Sequence, residues 1–190
     1  MIGKAALMLL MVAVSPQNDA AAQVRLLSSD VVTLQYVDSL RIAVQADWML
    51  QPDDVRRIAS RRNFAFKVDK RCKPFTAANT DYLLSGYDRG HLCPAADRQG
   101  DKARMKETFL LSNVVPQLPA LNRGEWKFLE EATRDLARNG LSLKVRVCCI
   151  FYNADTTFIG RNRVAVPHAL VKQVRLLSND SLVLNRYYNN

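Results

Sequence analysis

The chain has very little histidine: two residues in 190, His91 and His168. Any proton transfer at neutral pH that relies on imidazole must therefore run through one of two positions. Long apolar runs are absent, and nothing approaches the roughly 18 consecutive residues that a membrane helix needs. The four cysteines, Cys72, Cys93, Cys148 and Cys149, show no CxxC spacing, which removes the usual zinc frameworks. No low-complexity linker or internal repeat interrupts the chain. With 190 residues, 48% of them hydrophobic, there is material for one well-filled core and no room for two large domains.

What is present begins at the N-terminus. Lys4 precedes the apolar run AALMLLMVAV at 5–14, polar SPQND at 15–19 and AAA at 20–22. A positive start, a short apolar block and a small-residue exit read as a secretory signal over residues 1–22, cut after Ala22. An uncleaved anchor needs a longer run, and a lipoprotein signal needs a cysteine at the cut. The expectation is one domain over residues 23–190, secreted or periplasmic, with no membrane attachment after cleavage. Such a cut removes Lys4 and Asp19 together, so the formal charge stays at +9. A pI near 9.7 favours polyanionic partners, since Lys and Arg displace the counterions condensed on phosphate chains. An exported chain can oxidise its thiols. Adjacent Cys148 and Cys149 in a strand would face opposite ways, Cys72 with Cys93 is conceivable, and free buried thiols are the alternative.

The segments 32–37 and 40–50 carry the β-branched and aromatic residues of strands, and 51–63 reads as a turn followed by irregular or short helical structure. Residues 56–73 hold eight basic residues and one acid, Asp69; such a run is usually a solvated face. A strand is expected to enter YDRGHLCP within 86–93, and 108–117 is an apolar, β-leaning run that Pro116 stops. The clearest helix spans 122–140, where Trp126, Leu129, Ala132, Thr133, Leu136 and Ala137 recur at helical spacing and Asn139-Gly140 ends it. Residues 141–152 read as a strand, and 162–177 as an extended segment broken at Pro167. Strands outnumber helices, which is an α+β pattern.

DRGH at 88–91, SN…PQ within 109–117, and Asn122 followed by Trp126 and Leu129-Glu130 form an ordered series. That series resembles the DNA/RNA non-specific endonuclease family, which includes endonuclease G and belongs to the ββα-metal nucleases. The resemblance covers about residues 47–177. It implies a central antiparallel sheet with the catalytic helix packed against it, a sugar-non-specific substrate range of DNA and RNA, and 5′-phosphate products. Mg²⁺ is the implied cofactor, with Mn²⁺ as a substitute. Relatives of this kind are often homodimers, a state the sequence leaves open here.

The chemistry is consistent with that likeness. Phosphodiester hydrolysis asks an enzyme to remove about 8–23 kcal/mol, whereas one general base supplies only about 10²–10⁴-fold. A base, a metal ion and further cations must combine. By resemblance His91 is the base that takes a proton from water. Asn122 is the single direct metal ligand, which suits an ion that keeps most of its waters; on its own, an asparagine where a helix begins is an N-cap. Eight helical steps put Glu130 roughly 80° around and about 12 Å along from Asn122, so Glu130 is expected to accept hydrogen bonds from metal-bound water, with Glu131 as its control. Arg89, two residues before His91, shares a strand face with it and is expected to hold phosphate, as is Arg62, for which Arg61 competes. Asp88 is assigned to support, orienting the loop or the arginine, and Gly90 to close backbone approach.

Two departures from the family pattern stand out: Cys93 where many relatives carry alanine, and a strand at 145–153 with no Gly-Pro after it. His168 is read as structural. The rival reading is an inactive nucleic-acid- or polyanion-binding secreted protein. The nuclease reading requires His91 and Asn122 to face each other across one solvated ion.

Overall fold

The computed structural model describes residues 23–56, 64–152 and 155–190. Strands β1 (Val24–Ser28), β2 (Thr33–Val37) and β3 (Ile42–Leu50) come first, followed by the short helix α1 (Pro52–Arg56). The middle of the chain supplies β4 (Asp88–His91), α2 (Lys102–Glu107), β5 (Val114–Gln117), α3 (Pro119–Arg123) and α4 (Glu125–Arg138). Then come β6 (Leu143–Ile150), the two-residue strands β7 (Phe158–Ile159) and β8 (Val164–Ala165), β9 (Ala169–Leu176) and β10 (Leu182–Asn189). The expected signal at 1–22, the basic positions 57–63 with Arg62 among them, and residues 153–154 lie outside the described residues.

Six strands form one sheet in the order β1-β2-β3-β6-β9-β10, antiparallel at every step. Its two faces follow from alternation. In β6, Leu143, Val145, Val147 and Cys149 are buried while Lys144 and Arg146 are exposed, so one face is dry and the other wet. On the wet face Asp47 of β3 stands opposite Arg146 and pairs with it at 2.6 Å. The dry face carries α4, whose Trp126, Leu129 and Ala137 share the core with Trp48, Val145 and Val174. The separate two-stranded ribbon β4–β5 packs into the same core through Val114 and Val115. This is the α+β arrangement of helix on antiparallel sheet that the residue pattern implied.

Several elements differ from expectation. The helix anticipated at 122–140 is two helices broken at Gly124 (φ −104°, ψ −114°), where any Cβ would lie 2.4 Å from the Ala120 carbonyl oxygen. Asn122 is therefore the fourth residue of α3, which begins at Pro119, and not an N-cap. Pro116 does not stop β5 but lies inside it, opposite Arg89; a two-stranded ribbon has edges where a missing N–H does no harm. Strands β1 and β10 were not foreseen because, as sheet edges, they are exposed along most of their length and lose the alternation that marks buried strands. Helix α2 was also missed. It is short and depends on Asp101, whose carboxylate accepts from the backbone N–H of Ala103 and Arg104 at 2.7 and 3.1 Å. All four cysteines are free, and burial pushes the Cys72 and Cys93 thiols up to about 12.

Candidate active site

The ribbon β4–β5 is the frame of the site. Asp88, Arg89, Gly90 and His91 stand opposite Gln117, Pro116, Val115 and Val114 in turn. Gly90 is required by packing rather than by an approaching backbone. A Cβ there would meet Gln117 Oε1 at 2.2 Å and Gln117 Cβ at 2.7 Å. The SN pair just before β5 is also structural. Asn113 is buried; its Oδ1 accepts from the Cys93 N–H at 3.0 Å, and its Nδ2 donates to the Cys93 and Thr108 carbonyls at 2.9 and 3.0 Å. Ser112 donates to Asp69 at 2.7 Å. These bonds fix the chain immediately after His91, so the histidine projects from a clamped strand end.

Arg89 and His91 do share a face, and Phe66 marks it. The His91 ring lies 5.1 Å from Phe66 and 5.1 Å, edge-on, from Phe109, while the Arg89 guanidinium sits 5.1 Å above the Phe66 ring. Phe66 is held from its backbone, where the Asn79 amide donates to its carbonyl at 2.9 Å. Arg89 reaches the other end of the same amide, donating to Asn79 Oδ1 at 3.3 Å. The imidazole thus rests in an aromatic seat that limits its rotamers. Arg89 is exposed beside it, a guanidinium placed to meet a phosphate bidentately.

Asp88 proves to orient Asn122 and Arg123, not Arg89. Asn122 Nδ2 donates to Asp88 Oδ2 at 2.9 Å, and Arg123 donates to both Asp88 oxygens at 2.8 and 2.6 Å. The Arg123 hydrogen bonds, against some burial and with help from Asn122, hold the Asp88 carboxyl below its ordinary range. An ionised carboxylate only accepts, so the end of Asn122 that faces it must be the NH₂. The carbonyl oxygen is left pointing elsewhere, and among the described residues it accepts no hydrogen bond. Asp88 therefore presents a neutral, hard oxygen on α3, tied to the strand that carries His91.

Glu130 lies one turn beyond Trp126 on α4 in a third, more buried setting, its side chain 16% exposed. Burial pushes its carboxyl up to about 7, with Asp97 adding to the shift and Lys172 and Arg134 opposing it. Lys172, on β9, is fully buried, and its ammonium sits 5.2 Å from the Trp126 ring and 5.6 Å from that of Trp48. Arg134 is held between Asp97 at 3.1 Å and Glu131 at 2.6 Å, with Glu130 at 4.0 Å. Glu131, the expected control, is thus spent on Arg134 and Arg138. Cys93, two residues past His91, is buried in the same core as Trp126 and Leu129 of α4.

Sequence reasoning missed Lys172, Arg123, Gln117 and the phenylalanine seat. A lone lysine in a strand or a phenylalanine in a basic run carries no signal, although Gln117 was visible within PQ. His168 is structural as expected, since its Nδ1 accepts from the Tyr152 N–H at 3.2 Å and its ring lies against Phe151 and Tyr152. Among the described residues there is no group of three or more His, Cys, Asp or Glu side chains suited to a metal. The donors available are the oriented amide oxygen of Asn122 on α3 and the Glu130 carboxyl on the following helix. That set fits a small hard cation that retains its waters and takes further oxygens from phosphate.

Comparison with known proteins identifies the family and the fold. The family model for "DNA/RNA non-specific endonuclease" matches residues 12–189. The chain is 36% identical over 153 residues to human "Endonuclease G, mitochondrial", an alignment covering 75% of this chain and 52% of that protein. It is 52% identical over 107 residues to "Nuclease" of Syncephalastrum racemosum, covering 49% and 33%. It is 38% identical over 104 residues to "Mitochondrial nuclease" of Saccharomyces cerevisiae, covering 52% and 32%. A crystal structure of the EndoG/EndoGI complex superposes with a TM-score of 0.79 at 28% identity, over 90% of this chain and 75% of that one. The chain spans about half the length of the human relative, or less for the other two.

Proposed function

The chain belongs to the DNA/RNA non-specific endonuclease family, and from that premise we propose that it hydrolyses phosphodiester bonds within DNA and RNA, leaving 5′-phosphate ends. His91 takes the proton from the attacking water as general base. Arg89, and Arg62 from the basic segment, bind the scissile phosphate and stabilise its growing charge. The carbonyl oxygen of Asn122 would hold Mg²⁺, or Mn²⁺ in its place. When bound, the ion supplies positive charge against the phosphate and leaving oxygen. Glu130 would accept hydrogen bonds from waters of such an ion. Gly90 and Asp88 support this set, the first by admitting Gln117 and the second by turning the Asn122 amide.

The observation that carries the reading is the Asp88–Asn122 bond at 2.9 Å, because it decides which end of the amide is available to a cation. The motif supplies cations and no base-reading code, so recognition is expected to run through backbone charge. The signal-like pattern read over residues 1–22 supports an exported, periplasmic or secreted location, in contrast to the mitochondrial names of several relatives. The test is plasmid cleavage by the purified protein with and without EDTA. His91→Ala should abolish cutting and keep salt-sensitive binding; cutting that survives this change removes His91 from the chemistry.

A further inference from the structure

A groove opens beside the His91 seat, with a volume of about 870 Å³ and walls that include Phe64, Lys67, Lys102, Lys106 and Phe109. We propose that this groove holds the nucleic-acid strand next to the phosphate being cut, with the three lysines on its phosphates and Phe64 against a base. The inference rests on the nuclease reading and extends it to the substrate on one side of the cut.

Four observations converge. Phe109 lines the groove and also packs edge-on against His91 at 5.1 Å, so the groove lies one side chain away from the catalytic histidine. Among the described residues Lys67, Lys102 and Lys106 form no ion pair, and all three are exposed. The one acid in the wall is Glu107. Lys102 and Lys106 are four residues apart on α2, hence on one face and about 6 Å apart along its axis, a spacing that suits successive phosphates of an extended strand.

The helix is also fixed from behind. Met105 is buried, and Arg104 donates to Asp54 at 2.5 Å and to the Asp30 carbonyl at 2.9 Å. Lys67 is pinned through its backbone, which donates to the Phe109 carbonyl at 2.9 Å and accepts from Leu111 at 2.8 Å. Three cations on a braced wall, next to a half-buried aromatic ring, are the components of a sequence-tolerant single-strand site.

Binding is read by fluorescence anisotropy of a single-stranded oligonucleotide over a range of salt, in EDTA, on a His91→Ala parent that cannot cut. Adding Lys102→Gln and Lys106→Gln should flatten the log–log salt slope by about 1.4, at about 0.7 per phosphate contact on a single strand. With His91 intact, the same pair should raise KM for oligonucleotide cleavage about tenfold while kcat stays within about twofold. Phe64→Leu should weaken single-strand binding about fivefold without changing the slope, which separates stacking from charge. Arg186→Gln, on the exposed edge strand β10, is the control whose slope should match the parent. A double variant with the parent's slope and KM overturns the groove assignment while the nuclease reading stands. A parent that neither binds nor, with His91 restored, cuts nucleic acid overturns both.

Discussion

Replacing Glu130 by glutamine removes one ionisation and keeps the shape of the side chain. Burial holds this carboxyl at about 7 against an ordinary 4.5, a gap that at 1.36 kcal/mol per unit corresponds to about 3 kcal/mol. Because the folded chain binds the proton more tightly than the unfolded chain, the associated stability is fully present below about 4.5 and is lost as pH rises through about 7. Above that, the wild type carries a buried anion at a cost of about 3 kcal/mol, whereas Glu130→Gln resembles the protonated form at every pH. In EDTA, urea unfolding should therefore find the variant equal to wild type near pH 4 and about 3 kcal/mol more stable near pH 8.5. In melting temperature that is about 6–12 °C for a chain of this size. With Mg²⁺ present, cleavage should fall about 10–100-fold, the usual loss when a partner of metal-bound water is removed. A stability difference that does not vary with pH would refute the account of Glu130 as a buried, raised carboxyl. Undiminished cutting would refute its role beside the metal.

Three other outcomes follow from the same geometry. Glu130 faces Lys172 from β9, Asp97 from the 95–98 turn and Arg134 from its own helix. Lys172→Met therefore removes a charge that favours the ionised form, and should move the acid limb of the pH–rate profile up by about one unit or more, read on an oligonucleotide substrate. Stability should change little, because two cation–π contacts of about 0.5–2 kcal/mol each are offset by relief of a buried ammonium. Gly90→Ala forces a methyl group into Gln117 and should cost about 1–3 kcal/mol, measured by urea unfolding. Asp88→Asn replaces an obligate acceptor by an amide that no longer dictates how Asn122 turns; cutting should fall about 10–100-fold, with a higher Mg²⁺ requirement in a metal titration and an unchanged circular-dichroism spectrum.

How far the sequence could be read depended on how local each signal was. Strands β2, β3, β6 and β9 and the body of α4 were legible because burial on one side writes a period of two or 3.6 into adjacent letters. The edges β1 and β10 have no buried side to write. Gly124 is one letter inside an otherwise continuous helical pattern, and only its contact with the Ala120 carbonyl reveals a break. Arg89, His91 and Asn122 stood out because their motif was compared as an ordered series, but their supports did not. Asn122 meets Asp88 34 residues away, Asn113 clamps Cys93 across 20, and Ser112 holds Asp69 across 43. A polar residue whose partner lies that far off looks the same in sequence as a solvated one. The letters SN…PQ marked the family without saying what each residue does. Ser112, Asn113, Gln117 and Gly90 belong to the packing that fixes β4 against β5 and clamps the strand end bearing His91. In the proposed nuclease reading, reaction chemistry falls to the few side chains that this packing presents rather than consumes: the Arg89 guanidinium on Phe66, the Asn122 carbonyl turned away from Asp88, and the Glu130 carboxyl between opposing charges.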